Sequence, residues 1–305
     1  MILVTGGTGF IGGHLLDRLS ETGLLWRQAK REHFATPDAL KVALEGVDTI
    51  IHLAGATKAL SVRGYYEVNV GLTDALVHAL GGRVVRMVHV SSLAAAGPGE
   101  PGTPIDENVV PHPLSNYGKS KLEAERLVRK ALPDAVIVRP PVVYGPRETG
   151  VFTLLKSISR GMALEIGGGD RWFSHIYVRD LVEGLITATR SPQAAGRTYF
   201  LTHPKPATWS GFAGAAAEIM NRRLRVWRVP VAAARGVGLA ADCWAAITRR
   251  AATISRDKVA EAQCTWWVCD SNRARADLGF EAPTSLEEGL ALTLAWYKEA
   301  GWIRY

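Results

Sequence analysis

Cysteine is scarce in this chain: 305 residues contain three, at positions 243, 264 and 269. None has the spacing of a zinc-ligand pair, and three thiols cannot build a disulfide scaffold. The sequence also lacks internal repeats, low-complexity tracts and, at its start, the pattern of a signal peptide. We therefore expect reduced thiols, no metal site and a cytoplasmic location.

Acidic residues are in the minority, with 29 Asp and Glu against 36 Lys and Arg, for a net charge of +7. The basic residues are spread along the chain without an aromatic-interleaved motif, which excludes the common nucleic-acid-binding patterns. We expect a small anionic cofactor or substrate and no nucleic acid as partner. With 47% apolar residues, the chain is long enough to bury a large core.

Long apolar runs are rare, and the main exception is residues 229–248, which are flanked by arginines. Arg235 and Asp242 interrupt this run, which argues against a membrane-spanning helix. The simpler interpretation is a helix that covers a substrate pocket. The alternative is a surface helix that gives weak peripheral contact with anionic lipid through residues 229–250.

A glycine motif follows the apolar residues 1–4, and apolar residues then recur at helical spacing, which predicts a strand, a tight turn and a helix. Gly6 would let the turn close, Gly9 would let the backbone approach a pyrophosphate, and Gly12 would let the helix pack on the strand. The helix start would face the phosphates with unpaired N–H groups. The predicted contacts of a dinucleotide cofactor here are Gly6, Gly9, Phe10, Ile11 and Gly12.

The next stretch, residues 24–48, has only 25 residues. A complete mononucleotide-binding half of a dinucleotide-binding sheet needs about 40 at this place. Thr36 as N-cap, Pro37 at the first helical position and Gly46 beyond the end predict one helix. One strand–helix unit of the sheet is therefore expected to be missing.

The residue that reads the adenosine ribose usually ends the second strand, where Lys30, Arg31 and Glu32 compete. A glutamate would favour NAD, whereas a basic residue would favour the 2′-phosphate of NADP. We expect NADP or NAD, with a slight preference for NADP through Arg31. The alternative is that all three are solvated charges.

Two more apolar runs, residues 48–55 and 86–92, predict buried parallel strands, and ligands bind beyond the carboxyl ends of such strands. The residues expected there beside a cofactor are Leu53, Ala54, Gly55, Ser91 and Ser92.

Residues 117–130 have a helical pattern that places Tyr117 and Lys121 on one face. A lysine ammonium beside a phenol, helped by the positive charge of an oxidised nicotinamide, is expected to lower the phenol pKa toward neutral pH. Tyr117 could then exchange a proton with an alcohol or carbonyl group, while Ser92 holds the same oxygen.

In order, these motifs resemble the extended short-chain dehydrogenase/reductase family, which includes NAD(P)-dependent epimerases, dehydratases and 3-beta-hydroxysteroid dehydrogenases. The resemblance covers nearly the whole chain. It rests on TGGTGFIGG at 5–13, HLAG at 52–55, VNV at 68–70, VSS at 90–92, YGKSK at 117–121, RPPVVYGP at 139–146, FSHIYVRD at 173–180 and DLGF at 277–280.

The resemblance implies an α/β fold with a Rossmann doubly wound parallel sheet in residues 1–149. It also implies a mainly substrate-binding part in residues 150–305, with some segments returning to the sheet. By this resemblance Ser92, Tyr117 and Lys121 form the catalytic set and Asn69 supports the lysine. Pro140 and Val143 would line the nicotinamide, and a homodimer would form through the helix that carries Tyr117.

The leading hypothesis is an NAD(P)-dependent oxidoreductase that transfers hydride to or from a secondary alcohol or ketone. Many tryptophans in the second half favour a flat or apolar substrate. One alternative is a nucleotide-sugar epimerase or dehydratase, with Arg147, Arg171 and Arg179 as candidate diphosphate ligands. Another is a non-catalytic cofactor-binding scaffold.

Overall fold

The computed structural model describes residues 1–233 and 256–305 together with residue 236. Its strands are β1 Ile2–Thr5, β2 Trp26–Ala29, β3 Thr49–His52, β4 Arg86–Val90, β5 Val136–Val138, β6 Val142–Tyr144, β7 Met162–Ile166, β8 Trp172–Phe173, β9 His175–Tyr177, β10 Thr198–Tyr199, β11 Ala207–Thr208, β12 Arg225–Val229 and β13 Trp266–Trp267. Its helices are α1 Phe10–Glu21, α2 Pro37–Leu44, α3 Val62–Asn69, α4 Gly71–Leu80, α5 Leu93–Ala96, α6 Asn116–Ala131, α7 Gly150–Ile158, α8 Val178–Arg190, α9 Trp209–Ile219, α10 Arg256–Gln263, α11 Asn272–Leu278 and α12 Leu286–Glu299. Two 3₁₀ helices span Arg31–Phe34 and Pro192–Ala194.

The main sheet has six strands in the order β10-β5-β4-β3-β1-β2, and every pairing is parallel. Adjacent strand residues point to opposite faces, so Ile50 packs with Leu40 and Leu76, whereas Ile51 packs with Leu15 and Leu185. Helices therefore cover both faces of the sheet. This confirms the predicted α/β doubly wound architecture.

One edge of this sheet is β2, because the chain between β2 and β3 forms a 3₁₀ helix and α2 but no further strand. Thr36 caps that helix by accepting a hydrogen bond from the Ala39 amide at 3.2 Å. Arg27 of β2 donates to the carbonyls of Val42, Ala43 and Glu45 at the other end of α2, at 3.0 to 3.3 Å. The predicted loss of one strand–helix unit is thus confirmed among the described residues.

The second half of the chain builds a smaller aromatic core and also contributes to the main sheet. Tyr144, Phe173, Phe212 and Tyr297 are buried in this core. Beside it lie the parallel pair β7–β12 and the three-stranded sheet β11-β8-β13. Strand β10 leaves this region and pairs with β5.

No helix among residues 1–233 and 256–305 is long and apolar enough to cross a membrane. Val229 ends strand β12, and most of the helix predicted over 229–248 lies outside the described residues. The cytoplasmic location and the homodimer stay predictions.

A buried ion pair joins α6 to the chain that follows β5. Arg139 donates through Nε and one terminal nitrogen to both carboxylate oxygens of Glu125, at 2.9 and 2.7 Å. Each side chain is only 6% exposed. Because the two charges are withdrawn from water, each depends on the other for its solvation.

We expect Glu125→Gln to lower the free energy of unfolding by about 3 kcal/mol, because it leaves the Arg139 charge buried without a counter-ion. The matched control is Glu123→Gln on the same helix, whose pair with Arg126 is exposed at 3.3 Å and should cost about 0.5 kcal/mol or less. Urea denaturation of both variants measures the difference. Equal losses would contradict the assigned role of the buried pair.

Candidate active site

The turn after β1 is shaped by three glycines. Gly6 has a positive φ of 69°, and a Cβ there would lie 2.7 Å from the Ala54 nitrogen. A Cβ on Gly12 would lie 2.2 Å from the Gly6 oxygen, and the Gly9 amide closes the turn by donating to that oxygen at 2.9 Å. Gly9 is the N-cap of α1 without a side-chain cap, so the first amides of the helix stay available to an anion.

A buried chain of hydrogen bonds connects this turn to the next strand. The Ala54 amide donates to Thr5 Oγ1 at 3.1 Å, and Thr5 Oγ1 bonds His52 Nδ1 at 2.6 Å. His52 Nε2 bonds Thr73 Oγ1 at 2.9 Å, and Thr73 donates to the Asn69 carbonyl at 2.7 Å. Thr73 donates its one hydroxyl proton to the Asn69 carbonyl, so it can only accept from His52. His52 must therefore carry its proton on Nε2 and accept a hydrogen bond from Thr5 on Nδ1. Thr5, His52 and Thr73 were not predicted as site residues; a histidine in an apolar strand was their only signal in the sequence.

Asn69 extends this chain to the helix that carries Tyr117. Its Oδ1 accepts from the Ala56 amide at 2.7 Å, and its Nδ2 donates to the Ala56 carbonyl at 3.2 Å and to Ser120 Oγ at 2.9 Å. Ser120 in turn donates to the Tyr117 carbonyl at 2.7 Å. Asn69 thus links the loop after β3 to α6. The residue of α6 that it contacts, Ser120, directly precedes Lys121.

Close packing of α5 on α6 brings Ser92 and Tyr117 together. A Cβ on Gly118 would lie 2.2 Å from the Ala94 carbonyl oxygen, so this approach requires glycine. Ser92 is the N-cap of α5, and its Oγ accepts from the Ala94 amide at 3.1 Å. A side-chain hydrogen bond joins Ser92 to the Tyr117 phenol. Gly118 was not recognised from the sequence as a packing residue.

Burial controls the protonation of both titratable groups in this set. It raises the pKa of Tyr117 to about 12, against the lowering effect of the Ser92 hydrogen bond. The lowered phenol pKa expected from Lys121 together with an oxidised nicotinamide stays a prediction for the cofactor-bound protein; here Lys121 Nζ donates to the Val90 carbonyl at 2.7 Å. Burial also lowers the pKa of Lys121 to about 8, with the charge of Glu125 opposing the shift. At neutral pH Tyr117 is a protonated phenol.

Beyond the carboxyl ends of β1, β3 and β4 lies a cleft of about 420 Å³. The predicted site residues that line it are Gly6, Gly9, Phe10, Ile11, Gly12, Leu53, Gly55, Asn69, Ser91, Ser92, Tyr117, Lys121, Pro140 and Val143. Residues of its lining that sequence reasoning missed are Ala56, Thr57, Val90, Pro141, Glu148 and Thr149.

Two predicted cofactor contacts do not line this cleft. Ala54 is turned so that its amide bonds Thr5, and Arg31 is exposed in the 3₁₀ helix after β2. In the cleft wall, the buried Ser91 Oγ has no hydrogen-bond partner among the described residues. Together with the side-chain-free glycine turn, this polar atom makes the cleft a fit for a dinucleotide.

A second cavity of about 410 Å³ shares Ser92 and Tyr117 with the cleft and extends away from it. Its far wall contains Phe173 and Trp209, stacked with ring centroids 4.0 Å apart, and Trp267. Glu261 is the one charged residue of its described lining, and its carboxylate contributes to the raised pKa of Tyr117. We call this cavity the substrate pocket. Its aromatic wall suits an apolar molecule.

Comparison with known proteins gives three findings. Residues 2–201 match the sequence model of the NAD dependent epimerase/dehydratase family. The ceramide reductase of Caulobacter vibrioides is 29% identical over 320 aligned positions, which cover 99% of this chain and 96% of that protein. The N-acetyl-alpha-D-glucosaminyl-diphospho-ditrans,octacis-undecaprenol 4-epimerase of Escherichia coli O157:H7 is 27% identical, with 97% and 94% covered.

Among solved structures, MoeE5 in complex with UDP-glucose and NAD superposes with a TM-score of 0.80 at 23% identity. The superposition covers 98% of this chain and 99% of that chain. At this identity the likeness shows the fold.

We expect Lys121→Met to stabilise the protein by about 2 kcal/mol at pH 7, because it removes a buried charge but also the bond to Val90. The folded-state pKa is about 8 and the unfolded value 10.5. The destabilising effect of the lysine is therefore complete below pH 8 and disappears as pH rises toward 10.5. Denaturation at pH 7 and pH 10 should show a gain that shrinks with pH. The control Lys119→Met, at an exposed position of the same helix, should show no gain; a destabilised Lys121→Met at pH 7 would contradict the argument.

Proposed function

Because the chain belongs to the NAD dependent epimerase/dehydratase family, we propose that it is an NAD(P)-dependent oxidoreductase acting on a secondary alcohol or ketone of a lipid-like molecule. The observation that carries this proposal is the shared wall of the two cavities. Ser92 and Tyr117, hydrogen-bonded to each other, stand where the dinucleotide cleft meets the apolar substrate pocket.

Holding the cofactor is assigned to the glycine turn and the walls of the cleft. The amides at the start of α1 would bind the pyrophosphate, and Pro140 and Val143 would pack against the nicotinamide. Lys121, at the floor of the cleft, would donate to ribose hydroxyl groups. A bound nicotinamide supplies or accepts the hydride.

Proton transfer is assigned to Tyr117. When a substrate carbonyl carbon gains a hydride, its oxygen gains the phenol proton, and the ketone becomes an alcohol. Ser92 donates a hydrogen bond to the same oxygen, and Lys121 stabilises the phenolate by its charge. In the reverse direction the phenolate accepts the alcohol proton. With its pKa raised to about 12, Tyr117 carries at neutral pH the proton that reduction of a ketone requires.

The lipid-like substrate is inferred from the pocket and supported by the relatives. The pocket is walled by Phe173, Trp209 and Trp267, with Glu261 as the one charged group of its described lining. The two relatives named above, a reductase and an epimerase, have names that contain ceramide and undecaprenol, both long-chain lipids.

Epimerisation of a diphosphate-linked sugar is the second candidate, and one observation favours it. Arg171 and Arg228 line a groove beside the substrate pocket, where they could bind a diphosphate. Arg147 and Arg179, also expected as diphosphate ligands, instead line a separate cleft and pair with the carboxylates of Asp17 and Glu21.

We expect Tyr117→Phe to lower kcat by about 10² to 10⁴ and to leave dinucleotide binding within a factor of about two, because the phenol moves the proton but does not hold the pyrophosphate. The measurement is NADPH and NADH oxidation with a panel of long-chain ketones, beside a binding titration. The control is Tyr66→Phe on the exposed side of α3. Retained turnover would refute the mechanism; no turnover by the unmodified protein would favour the scaffold alternative.

We propose NADP as the slightly preferred cofactor, because Lys30 and Arg31 directly follow β2 and both are exposed. A 2′-phosphate carries two negative charges that a guanidinium can bind in a bidentate way.

Arg31→Ala should therefore weaken NADPH binding by about tenfold and NADH binding by about twofold or less. Titration followed by nicotinamide fluorescence measures both affinities. Arg63→Ala, an exposed arginine of α3 paired with Glu67, is the charge-matched control. An equal loss for the two cofactors would remove the basis for the preference.

A further inference from the structure

The strand pair β7–β12 presents an apolar face to solvent. Register pairs Leu164 with Trp227 and Met162 with Arg225, so these side chains share one side of the pair. Met162, Leu164 and Trp227 are 42%, 65% and 59% exposed. We call these three side chains the apolar face. Clustered exposed apolar groups of this size usually mark a contact surface.

The chain segments that form the apolar face are rich in arginine and poor in acids. The segments 160–166 and 222–229 contain five arginines and one glutamate, and all five arginines are exposed. The Arg225 amide bonds the Gly161 carbonyl at 2.8 Å, which sets the turn with Arg160 beside β12. Glu165, the one acid, lies 3.7 Å from Arg228. The arginines are Arg160, Arg222, Arg223, Arg225 and Arg228.

A groove leads from the apolar face to the substrate pocket. Its volume is about 260 Å³, and its lining includes Leu164 of the apolar face, Ile166, and the charged residues Glu165, Asp170, Arg171 and Arg228. Trp209 and Ala262 line both this groove and the substrate pocket. The apolar face, the groove and the pocket with Tyr117 therefore adjoin one another in that order.

We propose that the apolar face and its arginines dock on an anionic membrane surface, and that the groove is the route by which an amphiphilic substrate passes from that surface to Tyr117. A tryptophan and a leucine among arginines suit the boundary between headgroups and acyl chains, where apolar groups insert and cations bind anionic lipids. A protein partner would need a matching acidic surface around an apolar centre, whereas an anionic bilayer supplies both properties without a specific shape.

Docking of the protein on a membrane and passage of a substrate through the groove are supported by different observations. Docking follows from the surface alone, whereas passage rests on the proposed function. The test of docking therefore uses binding to lipid vesicles and requires no turnover.

The experiment is co-sedimentation of the full chain with vesicles of phosphatidylcholine containing about 30% phosphatidylglycerol, and with pure phosphatidylcholine. We expect binding to the anionic vesicles, loss of binding in about 0.5 M salt, and a loss of roughly tenfold or more in the double variant Leu164→Ser, Trp227→Ser. The paired substitution Arg222→Gln, Arg223→Gln should weaken binding to the anionic vesicles and leave the result with pure phosphatidylcholine vesicles unchanged. Val84→Ser is the control, since Val84 is 99% exposed on another surface.

Three results would overturn docking: no binding to anionic vesicles in low salt, equal binding by the double variant, or equal binding to neutral and anionic vesicles. Self-association that the double variant abolishes, without vesicle binding, would assign the face to a protein contact instead. Dinucleotide binding by the double variant, measured in parallel, shows that it is folded. Vesicle binding together with undiminished turnover by Tyr117→Phe would refute the proposed function and leave docking intact.

Discussion

The candidate site depends on one buried run of hydrogen bonds, from the Ala54 amide through Thr5, His52 and Thr73 to Asn69. Thr5 and Thr73 act in it as both donor and acceptor, so a substitution at either would leave a buried polar group unsatisfied. Burial, helped by the charge of Lys121, lowers the pKa of His52 to about 3. The imidazole therefore stays neutral at physiological pH, and the hydrogen bonds between the glycine turn and the segment that contacts α6 do not depend on its titration.

Burial away from water is the common cause of the shifted pKa values of Tyr117 and Lys121. The same burial keeps the proton on Tyr117 and weakens the hold of Lys121 on its proton, because each shift favours the neutral form. A charge that develops on a substrate oxygen in such surroundings interacts strongly with the few dipoles directed at it. Ser92 is the residue that the proposed function assigns to this role, and its oxygen also caps α5.

Local features of this protein could be predicted from its sequence, and features built by distant residues could not. The glycine turn, the capped helix α2 and the helix α6 with Tyr117 depend on neighbouring residues, and a strand missing from the sheet could be inferred from chain length. The raised pKa of Tyr117 escaped prediction because burial and the charge of Glu261 cause it, and Glu261 lies far along the chain. The bond from Asn69 to Ser120 and the contact of Gly118 with Ala94 likewise join separate segments. No spacing rule connects them.

Because one strand is missing, β2 is an edge strand of the sheet. The free backbone groups of an edge strand are a template on which other chains can aggregate. Here the edge strand is four residues long, and its Arg27 guanidinium is engaged with the end of α2. Another chain that paired with this edge would therefore gain only a few backbone hydrogen bonds. The short edge therefore offers little backbone for intermolecular pairing, and the arginine that it carries also fastens the end of the helix that follows it.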